Sequence, residues 1–241
     1  KGIDESRGRF IVKALSDVKK WEKEKETVSL VTRVYDAGFH KGPFRVPKIV
    51  DYNDAEHIII EEGQRGKSLF DLLIQVAPDT GKKYITLAAQ WLARLHTLRI
   101  TGTEPAETQK KERHRFDSYE KQFITTHNPF LADVRKIIAA VSHFEKTLCT
   151  NAVSRFVQNH GDYHPKNIII GQDKMHDIST LFVSVIDFGN ACLFLPTFDI
   201  GYFLAQCHHQ FRKHSHVREH YPDELFITSY LSEYRNPVDA E

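Results

Sequence analysis

The sequence has few cysteines, no long hydrophobic stretch and almost no net charge. Its three cysteines, Cys149, Cys192 and Cys207, are odd in number and lack Cys-x-x-Cys spacing, which favours reduced thiols in a cytoplasmic protein. Apolar runs reach only about six residues, whereas a membrane-spanning helix needs roughly 20. The first nine residues are mainly polar or charged and do not resemble a signal peptide. A formal charge of +1 gives no general attraction to nucleic acid or anionic membranes, so neither is expected as a partner.

The remaining composition is typical of a globular protein with a sizeable core. Hydrophobic residues make up 41% and charged residues 27% of the 241 positions, without internal repeats or low-complexity tracts. Strand-like patterns precede residue 63 and helix-like patterns follow it. The predicted strands are 10–15, 48–52 and 57–60, and the predicted helices include 17–35, 130–148 and 223–234. The polar segment 101–115 is either an exposed connection or the start of a helix.

Two short segments carry residues suited to phosphoryl transfer: 160–167, HGDYHPKN, and 185–189, VIDFG. Asp162 can accept a hydroxyl proton, while the oxygens of Asn167 and Asp187 suit magnesium. Apolar runs directly follow Asn167 and precede Asp187, with turn residues between them, so a β-hairpin is predicted. Such a hairpin would bring Asn167 and Asp187 to one end, where they could share a metal.

These segments resemble the H-G-D-x-x-x-x-N and I-D motifs of the aminoglycoside phosphotransferase and choline kinase family, which has a protein-kinase-like fold. The later aspartate of that family is matched by Asp199 within FDIGYFLA. Three segments that precede these motifs in the chain also occur in the order typical of the family. They resemble the strand with the phosphate-binding lysine (9–15, RFIVKAL), the hinge (58–62, IIIEE, with Gly66 and Leu69 following) and the long C-lobe helix (91–96, WLARLH). The resemblance covers nearly the whole chain.

The resemblance implies an α+β fold of two lobes. The smaller mixed lobe is expected at residues 1–62, the hinge at 63–66 and the mainly helical lobe at 67–241. In kinase-like folds two strands and a phosphate-covering loop precede the lysine strand. Only twelve residues precede Lys13, so the first lobe is expected to be incomplete at its start. The segment 225–231 resembles a C-terminal helix that relatives follow with more helical material, so the end is expected to be shortened as well.

The resemblance also assigns roles at the reaction centre. Asp162 is expected to be the catalytic base, or the group that orients the acceptor hydroxyl. Asn167 and Asp187 are expected to bind Mg²⁺. Lys13 is expected to contact the α- and β-phosphates of ATP. Its partner should be a glutamate of the following helix; Glu22, Glu24 and Glu26 compete, and Glu24 is favoured because it shares the apolar face.

The remaining expected contacts are less specific to side-chain type. Glu62 and Gln64 should offer backbone groups to adenine, and His164 is a candidate for phosphate contact. Asp199 and His160 are expected to support the 160–167 segment structurally. The i, i+4 spacing of His160 and His164 also suggests a zinc pair, but that motif needs a helix, and Gly161 and Pro165 predict a loop.

A histidine-rich segment at 208–220 also contains Arg212, Lys213 and Arg218. A solvated basic face is the simpler interpretation. If the segment lines the acceptor site, as in relatives, its few carboxylates disfavour a polycationic acceptor and therefore the aminoglycoside hypothesis.

The sequence therefore predicts a cytoplasmic, ATP- and Mg²⁺-dependent kinase that phosphorylates a hydroxyl of a small molecule. A nucleotide-binding pseudokinase or scaffold is the alternative. A protein kinase is a weaker one, because Asp199 follows Asp187 by only twelve positions, too few for the usual activation and peptide-binding segments. The acceptor, the choice between ATP and GTP, and the oligomeric state stay open.

Overall fold

The computed structural model describes residues 9–98, 105–149, 156–174 and 177–234. Within these ranges the strands form three sheets, surrounded by helices. None of the helices in the described ranges combines the length and apolar character needed to cross a bilayer. The predicted limits of the chain's lobes at residues 1 and 241 lie outside the described residues.

The first sheet is antiparallel, with strand order β1–β4–β3. Its strands are β1 (Phe10–Ala14), β3 (Ile49–Asn53) and β4 (Ile58–Glu62). These strands confirm the three predicted ones with end shifts of one or two residues.

Helix α1 (Val18–Val34) packs beside this sheet and confirms the predicted helix 17–35. It begins after Asp17, whose carboxylate accepts hydrogen bonds from two backbone amides of the first turn. Leu30, Val31 and Val34 face the main core from one side of this helix, as expected for an amphipathic helix. Trp21, also buried, instead stacks on His57 and donates to the Asp54 carboxylate at 2.6 Å. The helix continues into a short π-helical turn at Tyr35–Phe39, where Gly38 has a φ of +113°.

The second sheet contains the predicted hairpin. Strands β7 (Ile168–Gln172) and β8 (Leu181–Val185) pair antiparallel, with Ile168 opposite Val185. The short strands β2 (Phe44–Arg45) and β5 (Lys67–Ser68) extend it to the order β2–β8–β7–β5. Since β2 precedes the predicted hinge at 63–66 but pairs with β8, a strand pairing crosses that boundary, and the boundary itself stays a prediction.

Helices make up most of the remaining chain. They are α2 (Leu69–Gln75), α3 (Pro78–Thr97), α4 (Pro105–Thr125), α5 (Leu131–Cys149), α6 (Thr197–Gln210), α7 (Ser215–His220) and α8 (Asp223–Glu233). Strands β6 (Val157–Asn159) and β9 (Cys192–Phe194) form a third, two-stranded antiparallel sheet. The predicted helices 130–148 and 223–234 are confirmed. For the segment 101–115, the helix alternative is confirmed from Pro105 onward, and residues 101–104 lie outside the described residues.

Helix α3 lies in the centre of the core and positions the residues that follow β6. Trp91 is fully buried, and its indole N–H donates to the Arg45 carbonyl at 2.9 Å. The Trp91 ring stacks on Tyr163 at a centroid distance of 5.7 Å, and the Tyr163 hydroxyl donates to the Ala88 carbonyl at 2.7 Å. Buried polar atoms of large aromatic residues need such partners. Residues 160–167 are thereby fixed on one side by the buried face of α3.

Candidate active site

The segment 160–167 forms a loop between β6 and β7, named here the 160–167 loop. Gly161 is buried in it with a φ of +80°, a conformation that side-chain-bearing residues rarely adopt. A β-carbon at this position would overlap the Asn190 carbonyl oxygen. The loop therefore requires glycine both for its backbone angle and for its close approach to residue 190.

The buried carboxylate of Asp199 holds the beginning of this loop. It accepts backbone N–H hydrogen bonds from His160 at 2.6 Å and from Gly161 at 2.9 Å. The Nε2 of His96 donates to the same carboxylate at 3.2 Å, and the Tyr230 hydroxyl donates to His96 Nδ1 at 2.9 Å. Asp199 lies in the first turn of α6, so this helix sets the loop position. The arrangement matches the structural role expected for Asp199.

His160 connects the loop to the residues after β8. Its Nε2 donates to the Ile186 carbonyl at 3.0 Å, while its Nδ1 accepts the Asp162 backbone N–H at 3.2 Å. Its ring also contacts Phe188 at a centroid distance of 4.5 Å. Both nitrogens are used, and neither His160 nor His164 lies on a helix, so the zinc-pair alternative has no structural basis. The described part of the chain contains no cluster of three or more His, Cys, Asp or Glu side chains arranged for a metal.

The buried His160 predicts that the folded state loses stability at acid pH. Burial lowers the pKa of His160 from its ordinary value, despite the nearby carboxylates of Asp199, Asp162 and Asp187. The unfolded chain therefore binds this proton more readily, and stability is lost as pH falls below about 6.5, the ordinary histidine pKa. We expect the unfolding temperature to fall from about pH 7.5 to about pH 5.5, and to fall less steeply in His160→Gln.

Thermal unfolding across this pH range tests the expectation, with the exposed His216→Gln as control. The control should keep the parent slope. An unchanged slope in His160→Gln would show that the acid sensitivity lies elsewhere, for example at His164, whose pKa is also lowered by burial.

The Asp162 carboxylate lies half-buried at the centre of the site. One oxygen accepts a hydrogen bond from the Tyr202 hydroxyl at 2.6 Å. The other lies 3.4 Å from the Asn167 side-chain nitrogen, which also donates to the Asp162 carbonyl at 3.0 Å. Tyr202 was not predicted from the sequence. The signal that could have indicated it is its position three residues after Asp199 on the same helix, which places both side chains on one face.

His164 lies beside this carboxylate. Its Nε2 is 3.7 Å from Asp162 Oδ1, and its Nδ1 accepts the Lys166 backbone N–H at 3.2 Å. Accepting at Nδ1 leaves the proton of the neutral ring on Nε2, the nitrogen nearer Asp162. The predicted phosphate contact of His164 stays a prediction.

Asn167 and Asp187 lie at the same end of the hairpin, as its pairing requires. The Ile186 backbone N–H donates to the Asn167 carbonyl at 3.0 Å, which ties the two segments together. Asp187 is exposed and has a φ of +67°, a strained conformation for a residue other than glycine. Because the Asn167 side-chain nitrogen is used by Asp162, the amide oxygen is the atom left for a cation. One carboxylate and one amide oxygen form a donor set that fits Mg²⁺, which takes its remaining ligands from phosphates and water.

Lys13 and Asp187 line the same small cavity. Its ammonium is 3.1 Å from Glu61 and 3.9 Å from Glu24. Of the three competing glutamates, Glu24 is therefore near Lys13, whereas Glu22 pairs with Lys25 at 2.8 Å. The contact of Glu61 with Lys13 was not predicted from the sequence. Glu61 reaches Lys13 because β1 pairs with β4 so that Lys13 opposes Ile59, and residues two apart on a strand share a face.

The two predicted hinge residues follow β4. The Glu62 backbone N–H donates to the Lys48 carbonyl at 2.9 Å. The Glu62 carbonyl accepts a 3.3 Å hydrogen bond from the Gln64 side-chain nitrogen. A ligand that used the Glu62 carbonyl would share this acceptor with Gln64 or displace its side chain. The adenine contacts of Glu62 and Gln64 stay predictions.

The histidine-rich segment at 208–220 spans the end of α6, the connection that follows and α7. Most of its charged and histidine side chains are exposed, which fits the solvated face predicted for it. His208 contacts both oxygens of Asp223 at 3.0 Å. A cavity of about 540 Å³ lies beside it, with Arg212 and Arg218 among its charged lining residues.

Comparison with known proteins identifies the fold and the family of the chain. No curated protein matches the sequence significantly. The ternary complex of APH(2″)-IIa with streptomycin and ATP is 14% identical, with a TM-score of 0.56, and the match covers 97% of this chain and 79% of that one. The GDP and kanamycin complex of APH(2″)-IIIa is 15% identical, with a TM-score of 0.57 and coverages of 92% and 74%.

An ethanolamine kinase from Plasmodium vivax is 17% identical, with a TM-score of 0.56; the match covers 97% of this chain and 63% of that kinase. These similarities confirm the predicted kinase-like fold. The sequence model of the phosphotransferase enzyme family matches residues 3–228 and confirms the predicted family and its enzyme class, the small-molecule kinases. The chain therefore belongs to the phosphotransferase enzyme family.

Proposed function

We propose that the protein transfers the γ-phosphate of ATP to a hydroxyl group of a small molecule in a Mg²⁺-dependent reaction. The observation that carries this proposal is the grouping of Asp162, Asn167 and Asp187 at one end of the β7–β8 hairpin, with Lys13 lining the same cavity as Asp187. Phosphoryl transfer needs positioning and charge neutralisation more than covalent chemistry, and these side chains supply both. The relatives bound to ATP and to GDP support nucleotide binding; ATP is proposed as the donor.

Each residue has a separate task in the proposed reaction. Asp162 orients the acceptor hydroxyl and takes its proton as the new bond to phosphorus forms. Lys13 neutralises charge on the α- and β-phosphates as a compact point charge, with Glu61 and Glu24 fixing its position. Asn167 and Asp187 would hold Mg²⁺, which when bound neutralises charge on the β- and γ-phosphates. Glu62 and Gln64 would contact the adenine through their backbone, and His164 would contact the γ-phosphate.

The acceptor is proposed to enter through a groove of about 720 Å³ that is lined by α1, α4, Gly161 and residues 188–192. Its charged lining is mixed, with Lys111, Glu112 and Arg115 on the α4 side. Arg115 pairs with Glu112 at 2.7 Å. Relatives are described with streptomycin, with kanamycin or as an ethanolamine kinase, so their acceptors differ in size and charge. The acceptor panel should therefore contain cationic, neutral and anionic alcohols.

Magnesium binding can be tested apart from turnover. Asp187→Asn is expected to weaken MgATP binding by about tenfold or more, equal to about 1.4 kcal/mol, while ATP binding in EDTA stays nearly unchanged. Isothermal titration with and without Mg²⁺ measures both affinities. Asp173→Asn is the matched control, because Asp173 lies at the opposite end of the same hairpin and pairs with Arg45. Equal MgATP affinities for Asp187→Asn and the parent would exclude Asp187 as a metal ligand.

Magnesium-dependent ADP release from ATP across this acceptor panel tests the function itself. An acceptor that raises the rate of the parent protein, but not of Asp162→Asn, would establish the kinase and its substrate class. Magnesium-dependent ATP binding without ADP release for any acceptor would contradict the kinase proposal and favour a nucleotide-binding pseudokinase.

A further inference from the structure

The proposed catalytic base accepts a hydrogen bond from a tyrosine hydroxyl of the protein itself. The Tyr202 hydroxyl donates to Asp162 Oδ1 at 2.6 Å, a short distance typical of a hydrogen bond to a carboxylate. A phenol and an alcohol each carry one O–H group that can donate to that oxygen, and the phenol is the stronger donor. Tyr202 therefore makes the contact that an acceptor hydroxyl would make with Asp162.

The position of Tyr202 is fixed by the residues around it. It lies on α6 three residues after Asp199, whose carboxylate is buried and bonded to the 160–167 loop. Phe203, the next residue, is fully buried and stacks on Phe226 at a centroid distance of 4.0 Å. The helix is thus anchored on both sides of the tyrosine. Burial and the hydrogen bond to Asp162 raise the pKa of Tyr202 well above its ordinary value, so the phenol remains a donor at neutral pH.

The groups around Asp162 restrict which of its carboxylate oxygens an incoming hydroxyl can contact. The Oδ2 side lies 3.4 Å from the Asn167 side-chain nitrogen, and His164 lies 3.7 Å from Oδ1. An acceptor hydroxyl that is to be oriented by Oδ1 must replace Tyr202 or share the oxygen with it. A water molecule faces the same competition, without the binding energy that the rest of an acceptor contributes.

Resting on the proposed function, we propose that Tyr202 occupies the acceptor-hydroxyl position on Asp162 and so suppresses ATP hydrolysis until an acceptor displaces it. The suppressed reaction is the attack of water on the γ-phosphorus. In it, an oxygen–phosphorus bond forms, the bond between the γ-phosphorus and the bridging oxygen breaks, and the water proton passes to Asp162. ADP and inorganic phosphate leave. Tyr202 is a positioning residue in this proposal, because it acts through Asp162.

Tyr202→Phe separates this role from a structural one. The variant keeps the ring but loses the hydroxyl, which leaves Oδ1 open to water. We expect ADP and phosphate release from MgATP without acceptor to rise at least about fivefold, a small part of what a general base contributes. Affinity for MgATP should be unchanged, and KM for any acceptor that supports turnover should fall, because the competing hydroxyl is gone.

Two further variants complete the experiment. Tyr52→Phe removes the hydroxyl of an exposed tyrosine on β3 and should leave the acceptor-free rate at the parent value. The double variant Tyr202→Phe with Asp162→Asn should lose the increase, since the water then lacks its base. Intact-mass measurement after incubation with MgATP should show no added phosphate on the parent protein.

An acceptor-free rate in Tyr202→Phe that equals or falls below the parent rate would overturn the proposal. A phosphate on Tyr202 would also overturn it, because the phenol would then be an acceptor itself. Failure of the proposed function has a different signature: no variant binds MgATP, or none forms ADP with or without acceptor, and the role of Tyr202 falls with it. A rise in Tyr202→Phe that persists in the double variant would show that Asp162 does not orient the water.

Discussion

Asp162→Asn is expected to lower acceptor-dependent turnover by about 10²–10⁴-fold and to leave nucleotide affinity nearly unchanged. The asparagine oxygen can still accept the Tyr202 hydroxyl, and the side chain keeps the volume of aspartate. What is lost is the negative charge and the basic oxygen that takes the acceptor proton. Because the nucleotide is proposed to bind through Lys13, Asn167 and Asp187, its affinity depends little on this charge.

Steady-state ADP release with the best acceptor, together with titration of MgATP, measures both quantities. Asp79→Asn is the control, since the Asp79 carboxylate is 92% exposed on α3 and pairs with the half-exposed Lys82. Turnover of Asp162→Asn within about threefold of the parent would contradict the assignment of Asp162 as base, because a general base normally contributes at least about a hundredfold. A parallel loss of MgATP affinity would instead indicate that the loop had changed its conformation.

The sequence indicated the parts of the site that depend on local spacing. Asp162, Asn167 and Asp187 could be grouped because the loop and the β7–β8 hairpin are continuous in sequence, and a short turn brings the start of β7 and the end of β8 together. The prediction of helix α1 rests on its apolar face, and Glu24 was favoured as the partner of Lys13 because it lies on that face.

The contacts that the sequence analysis missed depend on pairing between distant segments. Glu61 reaches Lys13 only in the register that places Lys13 opposite Ile59 across β1 and β4. A shift of one residue would turn Glu61 to the other face of the sheet. Nothing in either segment alone fixes that register. The pairing of β2 with β8 across the predicted hinge is of the same kind, since residues 44–45 and 183–184 are far apart in the chain.

Tyr202 illustrates a different reason for a missed residue. Its position on α6 was predictable once Asp199 had been identified, because three-residue spacing places both on one helix face. Its contact with Asp162, however, depends on how α6 packs against the 160–167 loop. That packing is set by the Asp199 carboxylate through the backbone of His160 and Gly161. One buried carboxylate thus positions both the loop and the tyrosine.

Asp199→Ala is therefore expected to have the largest effect on stability. It leaves the backbone N–H groups of His160 and Gly161 and the His96 ring without their acceptor in a fully buried site. Removing one partner from a buried polar network of this kind costs about 3–5 kcal/mol. Asp199→Asn keeps the volume and one acceptor oxygen but turns an NH₂ group toward a donor, so a smaller loss of about 1–3 kcal/mol is expected.

Urea unfolding of the parent, both Asp199 variants and Asp223→Ala measures these costs. Asp223 is the matched control, since it also contacts a histidine, His208 at 3.0 Å, but does so at the surface, where an ion pair contributes about 0–1 kcal/mol. If Asp199→Ala does not fold, the unfolding free energy of Asp199→Asn still measures the contribution of the carboxylate. Turnover measured under conditions in which Asp199→Asn is folded should fall as well, because the loop that carries Asp162 loses one of its two backbone anchors. Equal unfolding free energies for the Asp199 and Asp223 variants would show that the 160–167 loop is held mainly by Trp91, Tyr163 and the residues around them.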